Sequence, residues 1–258
     1  LIEEAVKNYV TETRWQEVFL LVAGLMRGRG KADKLLLAME KEAHNYLKTP
    51  LGQKLVPILQ WADEMTKDSV DSPIKPVGRR AIANWLVIVN VDAVPHQSIF
   101  PDSYNAKAIA YAKTKANAKT KANAKVIVIT HGILSILSTP SVIDESVKLV
   151  KLFAQDRIVS KVNFSQLIAD LEALEQIISD DKATEKEHEE FADQFLKMWS
   201  TAFNFAPELL NLSTRQEISE IDKHYFYINR LILDCQKVAV NISPTVWQEI
   251  EDRMLRVP

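Results

Sequence analysis

The stretch FSQLIADLEALEQII, residues 164–178, decides how the rest of the chain reads. Phe164, Leu167, Ile168, Leu171, Leu174 and Ile178 recur at three- and four-residue spacing, which lays one apolar stripe along a helix. On a strand the same residues would scatter over both faces. The pattern returns on either side of this segment. In WQEVFLLVAGLM (15–26), Trp15, Val18, Phe19, Val22 and Leu25 share a face, and Thr13 with Gln16 forms a capping box. Asp33 is placed to cap KLLLAMEKEAHNYLK, which must stop at Thr49-Pro50 because the residue before proline disfavours the α region. LGQKLVPILQWADEM follows, with Pro57 either kinking it or starting its second part. Lys75-Pro76 opens VGRRAIANWLVIVN, a largely buried helix. Pro140 stands near the start of SVIDESVKLVKLFAQD. Thr184 with Glu187, and Ser213 with Gln216, give two more capping boxes. Ser243-Pro244 supplies a cap and a first-turn proline for TVWQEIEDRML.

These patterns predict an all-α fold, a multi-helix bundle or irregular helical array. Trp15, Phe19, Leu171, Trp199 and Trp247 are expected in its core. Composition agrees: 47% hydrophobic and 26% charged residues describe a globular chain, and six glycines in 258 residues are few for a turn-dense β fold. A chain of this length buries a sizeable core without covalent staples. The single cysteine, Cys235, excludes an internal disulfide framework and fits a reducing, cytoplasmic setting. The longest uncharged tract, Val126 to Ile143, is interrupted by Thr130, His131, Gly132, Ser135, Ser138, Thr139 and Pro140. It is too polar for a bilayer span, which needs ~20 apolar residues, and reads as a buried helix.

One segment needs a separate decision. Tyr111 to Lys125 reads YAKTKANAKTKANAK, with AKTKAN repeated at 112–117 and 118–123. Alanine or threonine at every even position from 106 to 124 imitates a strand, but one strand of that length would run about 65 Å. As a helix it spans about 30 Å, and alanine and lysine favour that state. The segment is expected to be mainly helical, with short paired strands the other possibility. Residues 102–143 carry net +5, against +1 for 1–101 and −8 for 144–258. Lys107, Lys113, Lys115, Lys119, Lys121 and Lys125 therefore form a candidate polyanion or intramolecular docking surface. Against nucleic acid, no arginine occurs between Arg80 and Arg157, and Tyr111 is the one aromatic within the lysine run. Stacking and bidentate base reading are thus poorly served. A basic helical nucleic-acid-binding domain stays as the alternative reading.

No catalytic, cofactor-binding or metal constellation emerges. GLMRGRGKAD (24–33) places five residues between Gly24 and Gly30 and follows Lys31 with alanine. A P-loop needs four residues there and a Ser or Thr after the lysine. Glu185 and His188 make half of a di-iron pattern whose second half is missing. Glu40 and His44, four apart, read as a solvated helix face. His224, Tyr225 and Cys235 carry no local mark of an activated thiol, and Cys235 reads as a buried structural residue.

Several stretches taken together resemble the C-terminal helical region of bacterial, especially cyanobacterial, NACHT-type STAND NTPases. They are RWQEVFLLVAGLM (14–26), KPVGRRA (75–81), NFSQLIADLEAL (163–174), APELLNLS (206–213) and SPTVWQEIEDRMLRVP (243–258). The alanine-alternating segment before NFSQL is similar too. The resemblance implies a fragment lying after an absent NACHT core: an N-terminal helical subdomain at 1–94, a loop and Ala/Lys segment at 95–125, and a C-terminal helical subdomain at 126–258. It also implies a non-catalytic sensor or autoinhibitory role beside the NTPase core of the same parent chain, with an unknown protein trigger. The family's nucleotide-binding residues match nothing in this sequence, so no cofactor is expected.

Overall fold

A computed structural model of the chain describes residues 1–26, 30–91, 141–175, 194–195, 197–204, 217 and 220–258, and among them every regular element is helical. The helices are α1 (Ile2–Tyr9), α2 (Gln16–Leu25), α3 (Lys31–Tyr46), α4 (Pro50–Thr66), α5 (Pro76–Val91), α6 (Ser141–Asp156), α7 (Phe164–Glu175), α8 (Tyr227–Val238) and α9 (Pro244–Arg253). A 3₁₀ turn, Thr13–Trp15, leads into α2, and a π-turn, Asp222–Phe226, leads into α8. The all-α reading holds. The Ala/Lys segment at 106–125 lies outside the described residues, as do the capping boxes at Thr184 and Ser213.

The chain divides into two compact units, one formed by Leu1–Gln60 with Ser213–Pro258 and the other by Trp61–Leu212. In the first, α3 is central: α1, α8, α9 and the π-turn all pack on it, and α8 packs on α2 as well. Leu35, Leu36, Met39, Ala43 and Leu47 give α3 its buried side. On α8, every residue from Tyr227 to Ile232 is buried, along with Cys235, so this helix is covered on nearly all sides.

Asp33 does not cap α3. The helix begins at Lys31, after Gly30 in the left-handed conformation (φ 74°). Asp33 sits in the first turn, and its Oδ1 accepts the backbone N–H of Ser243 at 3.0 Å. Ser243 in turn caps α9 as expected, its Oγ accepting the N–H of Val246. Glu40, seven residues on from Asp33, receives Arg253 in a fork: Nε to Oε1 and Nη2 to Oε2, both 2.9 Å. The Glu40/His44 pair is therefore no solvated face. Glu40 is 7% exposed and His44 is half-buried, because α9 lies over them.

The α3–α4 corner explains the stop at Thr49-Pro50. Thr49 Oγ1 donates to the Tyr46 carbonyl (2.7 Å) and accepts the N–H of Gly52 (3.0 Å), so one hydroxyl closes α3 and caps α4. The approach is so close that a Cβ on Gly52 would lie 2.0 Å from the Tyr46 oxygen. Pro57 sits inside a continuous α4 and is exposed.

In the second unit, α6 packs on α7, and the α6–α7 connection is tied to the end of α4. Ser160 N–H donates to the Met65 carbonyl (3.0 Å), Ser69 Oγ to that of Ile158 (3.4 Å) and Ser72 Oγ to that of Asp156 (2.5 Å). α6 ends without glycine. Arg157 takes φ 49°, while Ile158 N–H reaches the Phe153 carbonyl (3.1 Å) and Arg157 N–H that of Ala154 (3.4 Å), the Schellman pattern. Asn163 starts α7 by accepting Gln166 N–H (3.1 Å). The stripe of the opening segment buries Leu167, Leu171 and Leu174 and half-buries Phe164 and Ile168. An aromatic ladder closes this core: Phe195 stacks on Trp199 (5.7 Å), Trp199 leans on Phe203 (4.9 Å), and Phe203 meets the edge of Phe153 (6.5 Å). Trp61 Nε1–H donates to the Phe203 carbonyl at 3.0 Å. Of the five expected core residues, Phe19, Leu171 and Trp199 are buried. Trp15, in the 3₁₀ turn before α2, and Trp247, in α9, are half-buried.

Two stability measurements follow from this packing. Trp199→Ala removes the middle rung of the ladder and should cost about 3–5 kcal/mol in urea denaturation; an unchanged midpoint would place Trp199 outside the core. Gly52→Ala drives a methyl group into backbone, so a loss of about 1–3 kcal/mol or more is expected, and a neutral result would show that the α3–α4 corner yields.

Candidate interaction surface

The helix α2, QEVFLLVAGL, carries one charged residue in ten and is apolar around its whole circumference. Such a helix is ordinarily covered on every side. Here Phe19 and Ala23 are buried, whereas Val18, Leu21 and Leu25 point outward at 40%, 62% and 69% exposure. The inner face is thus rotated from the one expected, which had included Val18 and Leu25. Phe19 and Ala23 turn inward because α8 crosses there: its end comes close enough at Gly24 that a Cβ would lie 3.5 Å from the Val238 carbonyl. Val238, whose carbonyl faces Gly24, is 44% exposed, and Val240, two residues on, is 69% exposed. Five large apolar side chains are thus exposed on α2 and around the end of α8.

The surroundings have the make-up of an interface rim. Tyr9 and Trp15, both half-buried, stack at 4.2 Å with an 11° interplanar angle at the start of α2. Arg14 pairs with Glu12 (2.6 Å) and Lys237 with Asp234 (2.8 Å), and Glu17 is exposed. An apolar centre, flanking aromatic rings and paired rim charges characterise protein-binding surfaces. Sequence reading missed this site because it assigned the α2 apolar residues to one inward face; the signal was the excess of apolar residues over what one face can hold.

A second feature of the same unit is polar and buried. The π-turn and α8 carry Asp222 Oδ1, Tyr227 Oη and Arg230 Nη1, all buried and without a hydrogen-bond partner among the described residues. The Arg230 guanidinium lies 5.3 Å from the centre of the Tyr227 ring, a cation–π contact. Burial pushes the Asp222 carboxyl up to about 6, with the Arg230 charge opposing the rise. On the other side of the π-turn His224 stacks on Tyr46 (5.3 Å, 15°) and Lys54 pairs with Glu217. Burial, helped by Glu220, pushes the Tyr46 phenol up to about 12.

No reactive centre assembles around the residues singled out for chemistry. Burial, then Asp234, pushes the Cys235 thiol up to about 12, which makes it a poor nucleophile. His224 is engaged with Tyr46. Burial lowers the His44 imidazole while Glu40 opposes this, and both Glu40 oxygens are taken by Arg253. No group of three or more metal-ligating side chains occurs among the described residues. Lys107, Lys113, Lys115, Lys119, Lys121, Lys125, Glu185 and His188 lie outside the described residues. No helix among the described residues is long and apolar enough to cross a membrane.

No curated protein and no solved structure matches this chain. A family model does, and it covers most of α7 with the π-turn, α8 and α9, including Val238, Val240 and the buried polar cluster: residues 167–257 match the NACHT C-terminal Helical domain 2.

Proposed function

We propose that this chain is a non-catalytic sensor or autoinhibitory module of a NACHT signal-transduction NTPase, working through the outer face of α2 with Val238 and Val240. The observation that carries this reading is a helix apolar on all sides whose outer side nothing in the chain's described residues covers. The family match supplies the partner: a NACHT C-terminal helical domain belongs with a NACHT core in the same parent chain, and is not itself the NTPase domain. In this reading the core seats on the apolar face at rest and leaves it when a protein trigger, such as a phage component in antiviral defence, binds elsewhere on the module. The lysines from Lys107 to Lys125 serve as a basic docking surface for an acidic partner. Coupling of this kind amounts typically to 1–3 kcal/mol.

Charging the face tests it. In the parent protein, Leu21→Asp combined with Leu25→Asp should raise basal nucleotide turnover by ~5–150-fold, while the unfolding midpoint of the 258-residue chain stays put because both side chains are already in water. Unchanged turnover with an unchanged midpoint would remove α2 from the contact. The chain alone should show no ATP binding by calorimetry. Micromolar binding lost in Lys31→Ala would overturn the non-catalytic reading.

A further inference from the structure

The π-turn Asp222–Phe226 is hard to explain as a stabilising feature. π-turns are rare and often mark functional sites, and this one, with α8, gathers three buried polar atoms that find no hydrogen-bond partner among the described residues. A buried polar group left without a partner is costly relative to a paired one. The geometry shows what the turn achieves. Asp222 and Arg230 are eight residues apart, and in a continuous α-helix they would stand about 80° apart around the axis. A π-turn holds more residues per turn, so it removes most of that offset and brings Asp222 round onto the face of Arg230. Long helical side chains lean toward the N-terminus, which carries the guanidinium over Tyr227 and toward Asp222, consistent with its 5.3 Å position over that ring. The two charges nonetheless form no ion pair.

The α8 side of this turn is fixed, since Tyr227 to Ile232 are buried against α2 and α3. Before the turn, Ile221 is buried, Glu217 pairs with Lys54, and within the turn His224 stacks on Tyr46. We propose that the π-turn is a two-register switch: relaxation of Asp222–Phe226 to α-helix turns the residues before it about the axis, moves Asp222 away from the Arg230–Tyr227 face and releases the Tyr46–His224 stack. The register change alters the direction from which the chain enters α8 without unpacking α8 itself.

Protonation of Asp222 is the input that fits. The buried π register favours the neutral acid, whose value stands at about 6, above the 3.8 of a free carboxyl. The π register therefore binds more protons than a register with Asp222 in water, and rising pH between these values shifts the balance toward α. The other titratable or charged groups around the turn are Arg230 and Tyr227 on α8, Tyr46 and His44 on α3, Lys54 on α4, and Glu217, Glu220, Lys223 and His224 on its own segment. Among the described residues, Arg230 is the charge that acts on Asp222.

The test is a ¹⁵N amide titration of the 258-residue chain from pH 3.5 to 7.5, run on the wild type and on Asp222→Asn. In the wild type, amides of residues 220–228 and the ring resonances of Tyr46 should move together with one midpoint between 3.8 and about 6. In Asp222→Asn they should hold their low-pH positions throughout. A transition that persists in Asp222→Asn belongs to another group and overturns the proposal, as does a wild-type shift confined to Asp222 and its immediate neighbours. Deleting Lys223, an exposed residue of the turn, removes the extra residue of the π register and should give the high-pH spectrum at every pH. A folded deletion variant with the low-pH spectrum overturns the proposal; if that variant does not fold, the Asp222→Asn comparison decides.

Discussion

Two carboxylates on one side of α3 hold both ends of α9. Asp33 takes the backbone N–H that opens the helix, and Glu40 takes the arginine that closes it. They are seven residues apart, two turns of α3, and their partners are ten apart on α9, so the helices run side by side in the same direction. Both links join residues more than 200 positions apart in sequence. Beside these links, α9 and the residues just after it bury Ile250, Met254 and Leu255. The non-directional attraction of apolar burial does not fix the position of one helix along another. The forked arginine geometry does, since it accepts one orientation of the carboxylate.

The connection from Ala239 to Ser243 joins the end of α8, where the Val238 carbonyl faces Gly24 of α2, to the cap of α9 held by Asp33. The buried cluster at the other end of α8 is the opposite case. There Asp222 Oδ1, Tyr227 Oη and Arg230 Nη1 are buried without a hydrogen-bond partner among the described residues.

The sequence disclosed the helices well and their outward faces poorly. Period and caps placed α5, α6, α7 and α9 because their signals are local: Pro76, Pro140, the Leu167–Leu171–Leu174 stripe and Ser243-Pro244 act within one or two turns. Asp33 was read as a cap because aspartate before an apolar run usually is one. Its actual partner stands 210 residues away, and no local pattern announces a carboxylate that serves another helix's backbone. The same limit hid Glu40, which looked solvated until α9 covered it. Arg157 ended α6 without the glycine that usually marks such a stop. For α2 the difficulty was different. Trp15, Val18, Phe19, Val22 and Leu25 do share a sector, but a helix apolar all round offers several sectors, and only the crossing of α8 selects Phe19 and Ala23. The π-turn left no sequence trace because DKHYF is compatible with ordinary helix.

The discontinuity of the first unit bears on how the protein comes into being. Its early part, Leu1–Gln60, leaves the ribosome well before its later part, Ser213–Pro258, with roughly 150 residues between them. At ~5–20 residues per second this is a delay of about 8–30 s. During that interval Leu36, Met39 and Phe19 have no α8 to cover them, and the outer side of α2 is uncovered as well. A nascent chain in this condition is a substrate for chaperones that hold apolar segments, and its yield in cells depends on how quickly the C-terminal helices arrive.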